Sequence, residues 1–93
     1  VKFRVTISRR VSRDVDRLED WLIDKQPSAA VRVGEILFGA IGSLQEMPAQ
    51  GRPAGADSRE LDVKFGSDWY VIRFRIIGER VVVTRIFHGR ERR

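Results

Sequence analysis

From Lys2 to Ile7 the chain alternates, with Phe3, Val5 and Ile7 on one side and Lys2, Arg4 and Thr6 on the other. That is the period of a half-buried strand. Ser8 then stands as an N-cap, and Val11, Val15, Leu18 and Leu22 follow at spacings of four, three and four. They form one helical stripe, widened by Trp21. Arg13, Asp14, Asp16, Arg17, Glu19 and Asp20 lie between them and read as the solvent face. Gln26-Pro27 ends this helix and opens a second, with Pro27 at the first helical position, where its missing N–H is no loss. The second helix repeats the pattern through Ala30, Val33, Leu37, Ala40, Ile41 and Leu44 and closes at Met47-Pro48. Gly34, Gly39 and Gly42 interrupt it, each at about 1 kcal/mol relative to alanine. Residues this small either let the two helices of the hairpin pack closely or receive another backbone.

Pro48 to Asp57 holds two of the three prolines and two glycines, so it reads as a loop. From Ser58 the period is two again: Leu61, Val63 and Phe65 alternate with Glu60, Asp62 and Lys64. Gly66-Ser67-Asp68 makes a turn, Trp69 to Ile76 the next strand, Gly78-Glu79 a two-residue hairpin, and Val81 to Phe87 the last strand. His88-Gly89-Arg90-Glu91-Arg92-Arg93 follows and is expected to be partly mobile. The pattern predicts a single α+β domain over residues 1–93: a strand, a helical hairpin, then a three-stranded antiparallel meander. The two helices are expected to pack on one face of the small sheet.

The middle strand of the meander divides cleanly. Tyr70, Ile72, Phe74 and Ile76 point one way, apolar enough to meet the helices; Trp69, Val71, Arg73 and Arg75 point the other. On the last strand Val81, Val83, Arg85 and Phe87 share one face by strict alternation. If that face is the open one, Arg73, Arg75 and Arg85 cluster there beside Trp69 and Phe87. Such a face suits single-stranded nucleic acid, which needs cations for phosphates and rings for bases. It equally suits an amphipathic partner segment, or plain solvent with snorkelling arginines.

Composition narrows the chemistry. Eighteen basic against thirteen acidic residues give +5, and fifteen of the eighteen are arginine, a balance that favours anionic partners. No cysteine and a single histidine exclude thiolate chemistry and the usual zinc sites, so no metal or cofactor is expected. No catalytic triad or glycine-rich phosphate loop can be assembled. His88 remains as a candidate general acid or base, since an unperturbed imidazole titrates near 6.5; a structural hydrogen bond at the strand end is the alternative. No apolar run approaches the roughly 20 residues of a membrane span, and a soluble cytoplasmic protein is expected.

Local phrases add a resemblance: Pro27-Ser28-Ala29-Ala30, Leu44 to Pro48 followed by Gly51-Arg52, Arg59-Glu60-Leu61, Tyr70-Val71-Ile72-Arg73-Phe74-Arg75, and His88-Gly89-Arg90. In this order and over nearly the full length, the chain resembles the RelE/ParE superfamily of toxins from bacterial type II toxin–antitoxin modules. The resemblance implies a small sheet with two helices on one face, and one of two activities. RelE-like members cut mRNA in the ribosomal A site with basic residues and, in some branches, a histidine; the matching candidates are Arg59, Arg73, Arg85 and His88. ParE-like members poison DNA gyrase without a catalytic residue of their own, and Arg85, His88, Arg90, Arg92 and Arg93 would then meet the target. The closing phrase looks more like the ParE and plasmid-stabilisation branch, and the lysine-rich middle and terminal tyrosine of RelE proper are missing. The resemblance also implies a hetero-oligomer with an acidic, partly disordered antitoxin, for which Trp69, Val71, Arg73, Arg75 and Phe87 are the candidate contacts. A basic adaptor that binds a peptide on its sheet is a third reading, outside toxicity.

Overall fold

The computed structural model describes residues 2–91. It runs β1 (Arg4–Ile7), α1 (Arg9–Ile23), α2 (Pro27–Ser43), a 3-10 turn (Pro48–Gln50), β2 (Arg52–Pro53), β3 (Arg59–Phe65), β4 (Asp68–Ile77) and β5 (Arg80–His88). The strands make one mixed sheet in the order β1-β5-β4-β3-β2. The meander β3-β4-β5 is antiparallel, and β1 joins its outer edge parallel to β5, with Arg4 opposite Arg80 and Ile7 opposite Val83. Residues expected to be pure loop supply β2, which pairs Arg52 with Glu60. None of the described helices is long and apolar enough to cross a membrane.

The helical hairpin packs on one sheet face. Val11, Val15, Leu18 and Leu22 of α1 and Ala30, Val33, Leu37 and Ile41 of α2 meet Tyr70, Ile72 and Phe74 of β4 and Val81, Val83 and Ile86 of β5. Pro27 opens α2 as expected, and α2 ends at Ser43, a turn before Met47. Ser8 occupies the N-cap of α1, but its hydroxyl makes no cap bond; it donates to the Thr84 carbonyl at 3.2 Å and ties the helix start to β5. Of the three α2 glycines, Gly34 alone faces a close neighbour, the Glu19 carboxylate of α1; a Cβ on Gly39 or Gly42 would touch nothing within 4 Å. Helix packing thus accounts for Gly34 and leaves the other two open.

The last strand departs from strict alternation. Arg73 lies opposite Arg85, yet Phe74 lies opposite Val83, so Thr84 is an extra residue in β5. A bulge of this kind shifts the side-chain alternation by one. Val81 and Val83 therefore enter the core with Ile86, while Arg85 and Phe87 pair with Arg73 and Val71 on the face away from the helices. The expected four-residue face is split in two. Thr84 steadies the irregularity by donating its hydroxyl to the Arg73 carbonyl at 3.3 Å. Ile76, expected in the core, lies at the hairpin end of the sheet and is 37% exposed.

Gly51 shows how tightly the β2 approach fits. A Cβ there would stand 2.7 Å from Cζ of Phe74 and 3.1 Å from the Glu60 carbonyl, and the Phe74 ring is wholly buried. Gly51→Ala should therefore destabilise by about 1–3 kcal/mol, the cost of overpacking. Gly39→Ala, on an exposed helical turn, should stabilise by roughly 0.5–1 kcal/mol. Urea unfolding of the two variants checks both signs; a neutral Gly51→Ala would mean that the Phe74 ring can move.

Candidate functional site

Beyond Val83 the outer edge of β5 has no strand beside it, because β1 stops at Ile7. Helix α1 crosses here, and its side chains complete the edge. Asp14 Oδ2 accepts the Ile86 N–H at 2.8 Å, and Arg17 donates to the Ile86 carbonyl at 3.3 Å. Asp14 also accepts from Arg85 Nε at 2.9 Å and from Arg17 Nη1 at 2.7 Å. Arg17 continues to Glu91, with Nε 3.0 Å from Oε2, and Glu91 accepts the His88 N–H at 2.6 Å. Asp14, expected on the solvent face, is 3% exposed. Burial alone would raise its pKa, but the bonds from Arg85, Ile86 N–H and Arg17 outweigh it and hold the carboxyl below its ordinary value. Glu91 is lowered on the same balance, burial opposed by Arg17 and the His88 N–H. As far as Glu91 the closing segment is tied down through Glu91 itself and by the Gly89 N–H donating to the Trp69 carbonyl at 2.8 Å; the rest of the stretch expected to be partly mobile, Arg92 and Arg93, lies outside the described residues.

A second network occupies the sheet face away from the helices. Glu60 is buried there opposite Arg73, which donates to it from Nε at 3.1 Å and Nη2 at 2.8 Å. Arg52 donates to Glu60 and to Asp62, each at 2.8 Å. Burial works to raise the Glu60 pKa, and Arg52 and Arg73 bring it below the ordinary value. The Arg73 guanidinium also sits over the Phe87 ring at 5.3 Å. Arg59 donates to the carbonyls of Ala49 and Gly51 and so shapes the preceding loop.

His88 lies on the helix side, opposite Tyr70, with ring centroids 5.1 Å apart and the Trp21 ring at 5.8 Å. Its Nδ1 accepts the Arg90 N–H at 3.1 Å, so the neutral ring carries its proton on Nε2. That Nε2 is buried without a hydrogen bond, 3.3 Å from Asp68 Oδ1. The Tyr70 hydroxyl is likewise buried and unpartnered; burial, then the charges of Asp68 and Glu91, push its pKa up. Beside His88 a cavity of about 320 Å³ opens between α1 and the ends of β4 and β5, walled by Leu18, Trp21, Asp68 and Arg90.

The four candidates for RNA cleavage are not assembled into one site. Arg73 and Arg85 are register partners, but each is bound to a different buried carboxylate, Arg59 holds a loop, and His88 faces the helices. Of the residues expected to meet a target, Arg85 is committed to Asp14, and Arg90 stands at the cavity with no carboxylate partner among the described residues. Arg92 and Arg93 lie outside the described residues. Of the candidate antitoxin contacts, Val71 and Phe87 are buried within the chain and Arg73 is ion-paired, while Trp69 and Arg75 are exposed, Arg75 with Asp57 at 3.6 Å. The sequence reading missed Asp14, Glu60, Glu91, Trp21 and Asp68 as site residues. One signal was available: Asp14 is three residues after Val11 and four before Leu18, inside the apolar stripe.

A family model described as the ParE toxin of type II toxin–antitoxin systems, parDE, matches residues 5–93. Among curated proteins, Toxin RelE1 of Caulobacter vibrioides is 47% identical over 91 residues, covering 98% of both chains. Toxin RelE3 of the same organism is 36% identical, covering 96% of this chain and 97% of its own. Among solved structures, the chromosomal ParDE system from P. aeruginosa superposes with a TM-score of 0.82 at 21% identity, over 94% of this chain and 96% of that one. The RelBE2 toxin–antitoxin complex of Mycobacterium tuberculosis gives 0.60 at 23% identity, over 95% and 99%. The two superpositions establish a shared fold of two helices on a five-stranded mixed sheet.

Asp14→Ala should cost roughly 3 kcal/mol in urea unfolding, the low end for breaking a buried pair, because Arg17 and Arg85 keep some solvent access. The acid limb follows from the lowered carboxyls. A carboxyl whose folded pKa is depressed contributes its stability above the unfolded value, and that stability is lost as pH falls through the folded one. For Asp14, Glu60 and Glu91 the ordinary values are 3.8, 4.5 and 4.5. Thermal melts followed from about pH 5 to pH 2 should therefore drop steeply, and Asp14→Asn should flatten that drop. An unchanged acid limb in the variant would remove Asp14 from the account.

Proposed function

The chain belongs to the ParE toxin family of type II toxin–antitoxin modules, and on that premise we propose that it arrests growth by binding and poisoning DNA gyrase and is silenced by a cognate antitoxin. The observation that carries this reading is the commitment of the arginines. Arg59, Arg73 and Arg85 are bound to carbonyls or carboxylates of the chain itself, and His88 stands apart from them on the helix face. A phosphodiester-cleaving site needs an acid or base and cations converging on one phosphate; a binding toxin needs only a shaped, charged surface. The antitoxin is proposed to be an acidic segment that folds on binding, over the sheet face where Trp69 and Arg75 are exposed and where Val71, Arg73 and Phe87 form the floor, drawn by the +5 charge. The toxin is proposed to act in the cytoplasm and to need no cofactor.

Ribosome-dependent mRNA cleavage is the second reading. The relatives named RelE favour it, as does Arg90, which stands at the cavity by His88 with no carboxylate partner among the described residues. Purified protein should inhibit gyrase supercoiling and leave mRNA on ribosomes intact; cleavage at the A site with gyrase unaffected would reverse the assignment. Arg90→Glu should weaken gyrase inhibition by up to about fivefold, the worth of one exposed charge pair, and the effect should shrink as salt rises. Removing Arg92 and Arg93 tests the terminal charges while keeping the Glu91 clamp. Deletion from Gly89 onward removes Glu91 as well and should lower the melting temperature.

A further inference from the structure

Both tryptophans of the chain stand half exposed, Trp21 at 48% and Trp69 at 51%. They share one end of the molecule, since each borders a concavity walled by Asp68, His88 and Arg90. Tryptophan is a highly buried residue on average, so two left open together mark a surface for contact. Each carries a cation over its ring: Lys25 Nζ lies 4.9 Å from the Trp21 centroid, and Lys64 Nζ 5.9 Å from that of Trp69. Half-buried Phe65 makes a third such pair, with the Arg32 guanidinium at 5.8 Å. Shallow concavities join these pairs. The cavity by His88 shares Trp21 and Asp68 with a second of about 290 Å³, which reaches Lys25 and Phe65. That one shares Phe65 and Gly66 with a third of about 330 Å³, bounded by Arg32 and Lys64. Together they form one trough from Arg90, past the turn between the helices, to Arg32. Lys25, Arg32, Lys64 and Arg90 make no ion pair among the described residues. Two carboxylates line the trough: Glu91 is bound to Arg17, and Asp68 lies against His88. Asp24, exposed in the same turn as Lys25, lines none of it. The free charge along the trough is therefore positive.

We propose that this trough binds a single strand of nucleic acid without regard to its sequence. A single strand repeats a flat base and a charged phosphate, and the trough repeats a ring and a cation. Bases stack on Trp21 and Phe65, with Trp69 at the rim, and the phosphates meet Lys25, Arg32, Lys64 and Arg90. Every base has a π-face, so such stacking selects strandedness and not sequence. A duplex keeps its bases stacked on one another and would use the cations alone, leaving the rings idle. An acidic polypeptide offers the charge without the flat faces. Arg73 and Arg85, on the sheet face away from the helices, do not line the trough, so a strand held here is bound and not presented to them. The inference stands apart from the gyrase reading.

The test is the fluorescence anisotropy of a fluorescein-labelled oligothymidylate of about ten nucleotides, within the range that one such site covers, titrated with the full chain. It should bind saturably, and a duplex of the same length should bind several-fold more weakly. Trp21→Ala, with native circular dichroism, should weaken binding about fivefold or more, the least that one stacked base is worth. Trp21→Phe keeps a ring and should keep most of the affinity. Lys25→Gln with Lys64→Gln should flatten the slope of log affinity against log salt by about 1.4, at about 0.7 for each phosphate on a single strand. Arg9→Gln with Arg10→Gln removes the same charge at the other end of α1 and should leave that slope unchanged. Several outcomes would overturn the proposal: no saturable binding, equal affinity for the duplex, or an undiminished affinity in Trp21→Ala. So would polyglutamate displacing the strand as well as unlabelled oligothymidylate does, which would make the trough a site for acidic polypeptide. An equal loss of slope in the Arg9 and Arg10 variant would reduce the binding to the net charge of the chain.

Discussion

The fold turns on how the free edge of β5 is closed. Strand β1 is four residues long and covers the edge only as far as Val83, whereas β5 continues to His88. A backbone N–H and carbonyl left there without partners would be costly when buried and adhesive when exposed. Asp14 and Arg17, one helical turn apart on α1, take the place of the missing strand at Ile86. Because the same two side chains also hold Arg85 and Glu91, one interaction fixes the helix against the sheet, the end of the last strand and the segment after it. The position of His88 follows from that closure.

A chain with fifteen arginines looks like a surface for polyanions, but the fold uses several of them internally. Arg73 and Arg52 neutralise Glu60 on the sheet face, Arg85 and Arg17 neutralise Asp14 at the edge, and Arg59 closes a loop. Buried carboxylates tolerate their burial only with such partners. The cations left for another molecule are fewer and differently placed than the composition suggests. Arg4, Arg9, Arg10, Arg13, Arg32 and Arg80 are exposed with no carboxylate partner among the described residues, and Arg90 lies at the cavity by His88.

The two faces of the sheet accordingly have different characters. The helix face is a continuous apolar core up to Tyr70, where it gives way to His88, Trp21 and Asp68. The other face is a tight lattice of ion pairs over Val71 and Phe87, with Trp69 and Arg75 standing out of it. A binding partner meets charge and aromatic surface on one side and a recessed, partly polar cavity on the other. Two unlike surfaces allow two unlike sets of contacts.

Much of this was legible in the residues themselves. Period-two and helical-period stretches located both α-helices and every strand except the two-residue β2, Pro27 marked the start of α2, and Tyr70, Ile72 and Phe74 were assigned to the core by alternation alone. These are properties of a single segment, set by backbone geometry and the burial of apolar side chains. Three features were decided by contacts between segments. The bulge at Thr84 depends on how β5 pairs with β4, and no local pattern records it, so the split of Val81 and Val83 from Arg85 and Phe87 could not be read from spacing. The burial of Asp14 depends on a strand edge that exists because β1 is short. The placing of His88 on the helix face beside Tyr70 depends on how β5 pairs with β4, because a one-residue shift in register exchanges the faces of a sheet.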